Sequence, residues 1–584
     1  MKYRIFLFFM LFIISVCFAS DDPYEKIFQT KLSKLNPKET TFPGGRGADE
    51  LVGYTSGFGK NTGTNEWGTE AVIMDDRITS IGGNNSEIPE NGWVISGHGK
   101  SAKWINDNCN IGMLVKRIGL DLTVTEDAKS FIIRYEKDLG KIEKLFQRKK
   151  DQIPPENKKN ITKILAELKK KPPTLTENKC SKCAYRKFHF LMKSLNEKLL
   201  NIRLLSEPSK AEEIRAAWFR LVYSEEQKIR ALVRRLSHAG FNVLYPETIY
   251  WGQTLYPHGE IKVGDKIYGE DLIPQISIGK NIDILKIMID EAHKSKMAVH
   301  VWSHVFFWGI DDENPLLKSH PQWRAVDRLG NLTSMQEKVQ VSEKGYCYLC
   351  PANPEVHNLI LGIYRDLLER YPIDGLQLDY IRYPAITHYN QGFCYCDYCR
   401  KQFKMESGFD PMDISPDNKE AWEKWKTWRE DQVTSFIKKV RNLIDEVKPE
   451  VKLSAAVFPD IEEARNKKNQ NWPEWTKTEL LDYIAFMAYS TDPEQVKKWS
   501  LQKGQEKSLE NTPYIVGLAP YMGLSLSQIL DQMDEVQETP ASGYAFFAEP
   551  NITWEMRNSF RKGYFRQPAW HPEIGNKPEN VFMK

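Results

Sequence analysis

The sequence predicts an α/β protein whose main body is a (β/α)8 barrel, preceded by a small β-rich domain and a helical segment. Three observations carry this expectation. From residue 213 onward, eight short apolar runs alternate with charged, helix-periodic segments, the pattern of parallel strands joined by crossover helices. The runs are apolar on both faces, as strands buried on both sides must be. The connections are long only where a strand leads into a helix, the side on which barrels of this kind carry their elaborated loops.

The chain opens with Lys2 and Arg4, an apolar run from Ile5 to Phe18, and then Ala19, Ser20 and Asp21. This is the layout of a secretory signal peptide over residues 1–19, cleaved after Ala19. The run is shorter than the roughly 20 apolar residues that span a bilayer. Val16 is a poor fit to the small residue that a lipoprotein carries before its cysteine, here Cys17. The expectation is a secreted or periplasmic protein with no transmembrane segment after signal removal. A formal net charge of +3 over 584 residues gives no global basic signature, so nucleic acid is not an expected partner.

Residues 44–124 hold short apolar stretches such as ELVGYT, EAVIMD and GWVISGHG, with the turn signals GGNN and ENG between them. They predict a small β-rich accessory domain. Residues 126–211 are charged and Leu/Ile-bearing with helical period, punctuated by Pro154, Pro155, Pro172 and Pro173. They predict a helical hairpin or small bundle whose basic face is solvated. Residues 212–565 supply the barrel. Its strands are read at 214–219, 241–247, 298–304, 374–380, 452–458, 482–489, 514–520 and 543–549, and its long loops at about 248–280, 305–353 and 381–416.

The strand ends collect Trp218, Glu247, His304, Asp379, Asp460, Tyr489, Tyr521 and Glu549. Carboxylates facing one another at a barrel mouth suit glycosidic bond cleavage, which needs a protonated acid and an ionised partner and no cofactor for catalysis. Crowding raises the pKa of one of them. Asp379 and Glu247 are the expected catalytic pair, with Asp379 held ionised by Arg382 and Glu247 donating the proton. Trp218, Trp251, His304, Arg382, Tyr383, Asp460, Tyr489, Tyr521 and Glu549 are the expected substrate-binding set, with aromatic rings to face a sugar. The plainer alternatives are that Asp379 pairs structurally with Arg382, and that Glu247 bonds a neighbouring strand. Asp374 reads as a residue of the barrel base. Of His300 and His304, which share a face, at least one reads as a buried layer residue.

Cys347 and Cys350 form a CxxC in the third strand–helix loop, and Cys394, Cys396 and Cys399 form CYCDYC in the fourth. Cys180 and Cys183 form another CxxC, and Cys109 has no sequence-local partner. The spacings on the two neighbouring loops suit structural zinc, whereas export favours disulfides. Spacing alone leaves both open.

These residues carry a resemblance. EIRAAWF, FNVLYPE with TLYP, VHVWSH, HPQW, CPANPEVHNLILGIYRDLLERYPIDGLQLDYIRYP, NWPEW and LLDYIAFMAY follow one another in the order seen in the glycosyl-hydrolase-like family 10 proteins. The chain resembles that family over about 212–565. The resemblance implies a (β/α)8 barrel and cleavage of cell-wall or other bacterial glycans, with Asp379 at the strand-four aspartate and Glu247 at the strand-two acidic position. It departs in two places: Tyr380 stands where many members carry a second acidic residue, and the His300 and Ser303 positions differ from the common pattern. The CYCDYC loop is similar to a zinc-binding cysteine loop of some barrel β-galactosidases. The front domain with GWVISGHG is similar to an accessory domain sometimes fused to these barrels. The expected function is an exported glycoside hydrolase acting on a polysaccharide or on peptidoglycan glycan, with an oligo- or polysaccharide as partner. The rival is a non-catalytic glycan-binding barrel, and a third reading is a different hydrolase on the same fold.

Overall fold

Runs such as AVHVWSH and KLSAAVF cannot lie on an open surface, because both of their faces are apolar. The chain buries them by closing them on themselves. The computed structural model describes residues 26–37, 47, 49–64, 68–83, 85–170, 181–220, 225–269, 273–274, 282–310, 314–334, 343–386, 392–502, 504–505 and 507–575, with backbone alone for 181–185. The expected signal peptide, Cys17 and Cys180 lie outside the described residues, as does the side chain of Cys183. The chain divides into two units, Met1–Glu207 and Pro208–Lys584.

In the first unit, eight strands form one sheet. Its order is Lys26–Lys31, Asp121–Glu126, Leu114–Ile118, Arg77–Ile81, Thr69–Met74, Gly92–Gly97, Leu51–Thr55 and Lys34–Leu35. Neighbours are antiparallel except for the last pair. Ile73, Ile95, Val124 and Cys109 form its core with Ile105 of the helix Gly99–Asn108. Burial pushes the Cys109 thiol up to about 12, so it behaves as a small apolar residue rather than a reactive thiol. Asp127 and Ser130 make a reciprocal capping box that starts the helix Ala128–Lys149, satisfying two N–H groups that would otherwise lack partners. Two further helices, Pro155–Lys169 and Ser181–Ser206, pack with it around Tyr135, Ile142, Ile161 and Ile202.

In the second unit, eight strands close a parallel barrel. They are Ile214–Phe219, Val243–Tyr250, Ala298–His304, Gly375–Asp379, Lys452–Val457, Tyr483–Met487, Tyr514–Leu518 and Gly543–Phe547. Each pairs with the next, and the eighth pairs with the first. The barrel predicted from strand–helix alternation is therefore present. Its interior is filled by Trp218, Tyr245, Trp302, Tyr483, Ile515 and Ala545, so it is a packed core and not a pore. The base is stoppered by Trp570 and Ile574, which lie beyond the barrel limit read from the sequence.

Polar groups at the base engage one another across strands. Tyr245 and Tyr483 hydroxyls meet at 2.7 Å, the Tyr483 hydroxyl meets His300 Nδ1 at 2.9 Å, and His300 Nε2 meets the Ile574 carbonyl at 3.1 Å. His300 is thus the layer histidine. Its ring fits because Gly375 sits opposite: a Cβ there would lie 2.2 Å from His300 Nδ1. Asp374 accepts from His293 Nε2 and from the Val299 N–H, both at 2.8 Å, and fixes the base as expected.

Arg215, wholly buried, ties the first strand to the chain ends. Its Nε donates to Glu213 at 2.7 Å, Nη1 to the Gln567 carbonyl at 2.8 Å and Nη2 to the Lys210 carbonyl at 2.8 Å. Removing one partner of such a pair leaves an uncompensated buried charge, at a cost of about 3–5 kcal/mol. Arg215→Met is therefore expected to lower stability by about that amount in chemical denaturation. A loss under about 1 kcal/mol would show that this ion pair does not hold the barrel base.

Candidate active site

Alternation places every second residue of a strand on the inner face. Along the third barrel strand this selects His300, Trp302 and His304. The third strand lies between the second and the fourth, and its upper two inner residues serve the acids on either side.

Glu247, on the second strand, is 3% exposed. Arg220 Nε, one residue past the first strand, lies 2.7 Å from its Oε2, and His304 Nε2 lies 3.1 Å from its Oε1. The Arg220 guanidinium also covers the Tyr250 ring at 5.0 Å. A guanidinium at that distance suits a carboxylate anion.

Asp379 ends the fourth strand, with His304 as its register neighbour. Its Oδ2 accepts from Trp302 Nε1 at 3.0 Å and its Oδ1 from the Tyr380 N–H at 2.6 Å. Tyr380 has φ of 50°, a left-handed conformation that costs a residue with a Cβ about 1–2 kcal/mol. Such conformations cluster at functional sites. Burial pushes the Asp379 pKa up. His304, the Tyr380 N–H, Arg382 and the Trp302 N–H pull it back without cancelling the rise.

Two aromatic walls flank the acids. On one side Tyr250 stacks on Trp251 at 4.6 Å, and Phe307 stacks on Tyr346 at 4.4 Å and lies 4.8 Å from Tyr380. Trp251 has φ of 51° and is half-buried. Its indole N–H has no hydrogen-bond partner among the described residues. On the other side Tyr489, Tyr521 and Phe547 cluster with centroids 5.4–5.8 Å apart, and Phe547 lies 5.9 Å from Trp302. Tyr521 is among the exposed large residues of the chain. Burial, then Tyr521 and Asp379, push the Tyr489 pKa up.

The structure gathers Glu247, Asp379, His304, Trp251, Tyr489 and Tyr521 at the mouth, and places five other expected residues elsewhere. Arg382 is not the partner of Asp379. Its Nη2 donates to Glu343 Oε1 at 2.7 Å, and its guanidinium lies among the Tyr348, Tyr380 and Phe458 rings. Burial would raise the Glu343 pKa, but Arg382 and the Ala385 N–H bring it below its ordinary value. Tyr383 is buried beside the thiols of Cys399, Cys350 and Cys394. Trp218 is a barrel-filling ring whose N–H is taken by Gln377. Glu549 is buried against Arg235 of the outer helix Glu226–His238, at 2.7 Å. Asp460 is exposed and caps the helix Ile461–Lys468, accepting from the Glu463 N–H at 2.9 Å. Past a strand end the strand period no longer governs where a side chain lies.

Sequence reasoning missed Arg220, Trp302, Tyr380, Glu343 and Phe547. Trp302 and Phe547 were within its reach, since both sit at inward positions by alternation. Arg220 and Glu343 meet their acid and cation across long chain separations, which no local pattern encodes. Among the cysteines, Cys350, Cys394, Cys396 and Cys399 come together. Cys347 does not: its Sγ faces the Gly345 carbonyl and Arg324.

With this geometry in hand, comparisons with known proteins are informative. The model of a family described as glycosyl hydrolase-like 10 matches residues 213–539. Glycosyl hydrolase DigH of Escherichia coli O6:H1 is 25% identical over 286 residues, covering 44% of this chain and 58% of that protein. Glycosyl hydrolase YngK of Bacillus subtilis is 23% identical over 184 residues, covering 30% of each. The chain thus spans between about a third and three fifths of the length of these curated relatives. The glycoside hydrolase domain of PgaB (BpsB) from Bordetella bronchiseptica has a TM-score of 0.47 at 12% identity, over 60% of this chain and 99% of that domain.

The relocation of Asp460 has a measurable consequence. Asp460→Ala removes an N-cap and is expected to cost about 1 kcal/mol of stability, which Asp460→Asn recovers. Denaturation curves of both variants check this. A loss of function at the mouth without loss of stability would return Asp460 to the site.

Proposed function

The chain belongs to the glycosyl hydrolase-like 10 family, and on that premise we propose that it is an exported glycoside hydrolase that cleaves a polysaccharide or the glycan of peptidoglycan at the barrel mouth. The observation that carries the reading is the contrast between its two acids. Asp379 has burial raising its pKa, and Glu247 is in an ion pair with Arg220. A carboxyl that holds its proton to higher pH, facing a second carboxyl paired with a guanidinium, suits acid–base cleavage of a glycosidic bond.

This contrast exchanges the roles expected from the sequence. Asp379 is the proton donor to the leaving oxygen. Glu247 is the anion that meets the anomeric carbon or deprotonates a water. His304, with Nε2 3.1 Å from Glu247 and register neighbour of Asp379, stands between the two. Trp251, Tyr489 and Tyr521 offer ring faces to the C–H side of a sugar. Nothing in this chemistry calls for a cofactor. The start of the sequence supports export.

Arg220 also supports a second reading, a non-catalytic glycan-binding barrel. An acid that stays locked to an arginine cannot attack, so catalysis requires Arg220, whose side chain is 57% exposed, to swing away when substrate binds.

Turnover on a panel of bacterial glycans separates the two readings. Asp379→Asn is expected to lose several orders of magnitude on natural glycans, consistent with the weight of general acid catalysis. It should keep binding, and keep turnover on substrates with activated leaving groups. Glu247→Gln should fail on both kinds of substrate. Near-normal activity of Asp379→Asn would overturn the assignment, and binding without turnover by the unaltered protein would favour the second reading.

The pH dependence has a definite sign. The donor must be protonated, so turnover on natural glycans should fall as pH rises through the raised Asp379 pKa. Trp302→Phe deletes a hydrogen bond that lowers that pKa, so it should move this limb of the profile to higher pH. An unmoved limb would exclude Asp379 as the group observed.

A further inference from the structure

We propose that Cys350, Cys394, Cys396 and Cys399 form a tetrathiolate site for one soft divalent cation, zinc, which clamps the loop after the third barrel strand to the loop after the fourth. The four Sγ atoms all lie within 4.8 Å of one another, and all four residues are buried. Cys350 Sγ lies 3.4 Å from Cys399 Sγ and 3.7 Å from Cys396 Sγ. Sulfurs at about 2.3 Å from a tetrahedral ion are separated by about 3.8 Å. A disulfide needs about 2.05 Å, and it would draw the sulfurs into pairs and leave no common centre.

Two further observations point to thiolates around a cation. The N–H groups of Val326 and Cys396 both point at Cys394 Sγ, at 3.3 and 3.4 Å. Backbone donors of this kind orient and steady metal-bound ligands. The second is a buried charge. Arg429 is 3% exposed. Its Nη1 donates to the carbonyl of Phe393, the residue before Cys394, at 2.8 Å, and its guanidinium lies over the Trp425 ring at 5.0 Å. Among the described residues no carboxylate forms an ion pair with it. A buried cation needs a counter-charge. Four thiolates around a divalent ion carry a net charge of −2 and supply one beside it.

Cys347 is left out for a geometric reason. It lies in the short strand Tyr346–Tyr348, with its Sγ on the Gly345 carbonyl at 3.8 Å and on Arg324 at 3.5 Å. A cavity of about 510 Å³, lined in part by Arg324, Asn353, Tyr395, Cys396 and Tyr398, reaches the cluster at Cys396 and gives an ion a way in. Tyr383 is buried beside the Cys399, Cys350 and Cys394 thiols and lies four residues after Asp379 in the chain.

The test is metal content, and it does not depend on what the barrel cleaves. Full-length protein purified without chelators is expected to carry one zinc per chain by elemental mass spectrometry. Exchange with cobalt should give the visible bands of a tetrahedral all-sulfur site. Cys399→Ser should lose the metal and Cys347→Ser should keep it. If Cys399→Ser does not fold, the cobalt spectrum of the unaltered protein decides the matter alone. A metal-free protein, or disulfides among these four residues in mass spectrometry of alkylated, unreduced protein, would overturn the proposal. So would a cobalt spectrum showing oxygen or nitrogen ligands.

Discussion

The mouth of this barrel depends on the position of one strand. The third strand is hydrogen-bonded to the second on one side and the fourth on the other, and it turns Trp302 and His304 inward. Trp302 holds Asp379 by an N–H bond, and His304 stands 3.1 Å from Glu247. A slip of one residue would send both rings to the outer face and bring Val301 and Ser303 inward. Neither of those could serve an acid in the same way. The packing below enforces the register. His300 fits only against Gly375, and Tyr483 and the Ile574 carbonyl hold its ring.

Given that frame, charge is distributed around the mouth by burial and pairing. Several buried ions outside the mouth have partners of their own. Arg382 takes Glu343, Arg235 takes Glu549, and Arg215 takes Glu213 at the base. Asp379 has hydrogen-bond donors but, among the described residues, no ion pair. A carboxyl withdrawn from much of its solvent and lacking an ion pair is costly as an anion, and it resolves that cost by holding its proton to higher pH. The same feature that weakens the site as a fold element equips it to give up a proton. Glu247 has the opposite arrangement, with an arginine whose half-exposed side chain can leave. The site is thus two unlike acids held by one strand, and the family to which the chain belongs gives that arrangement its chemical reading.

The long loops form a second layer above the strands. Cys350 belongs to one loop and Cys394, Cys396 and Cys399 to the next, yet their sulfurs share one small volume. The helix Asp397–Ser407 begins within this cluster, and Arg429 of the following helix Lys419–Val447 reaches back to the Phe393 carbonyl. Loops of this length carry a large conformational entropy. The proposed metal clamp would join them at their centre, beside the wall of Tyr346, Phe307 and Tyr380.

Much of this was legible in the sequence. The apolar faces of the eight strands called for a parallel sheet covered on both sides, and the eightfold strand–helix alternation pointed to its closed form. The period of two put Glu247, His304 and Asp379 at one end. The CxxC and CYCDYC spacings marked the cysteine loops. Tertiary structure alone decided the partners. Arg382 stands three residues from Asp379 but turns to Glu343, and Arg220 reaches Glu247 across a helix and a strand. The proposed exchange of roles between the two acids rests on the same point: what surrounds a carboxyl in space governs its proton, and chain neighbours are a small part of that surrounding. Asp460 and Glu549 left the site because alternation no longer applies past a strand end. Cys347 and Cys350 look equivalent in sequence. Only the fold of the loop turns one thiol to the cluster and the other away: Cys347 lies within the strand Tyr346–Tyr348 and Cys350 lies past its end.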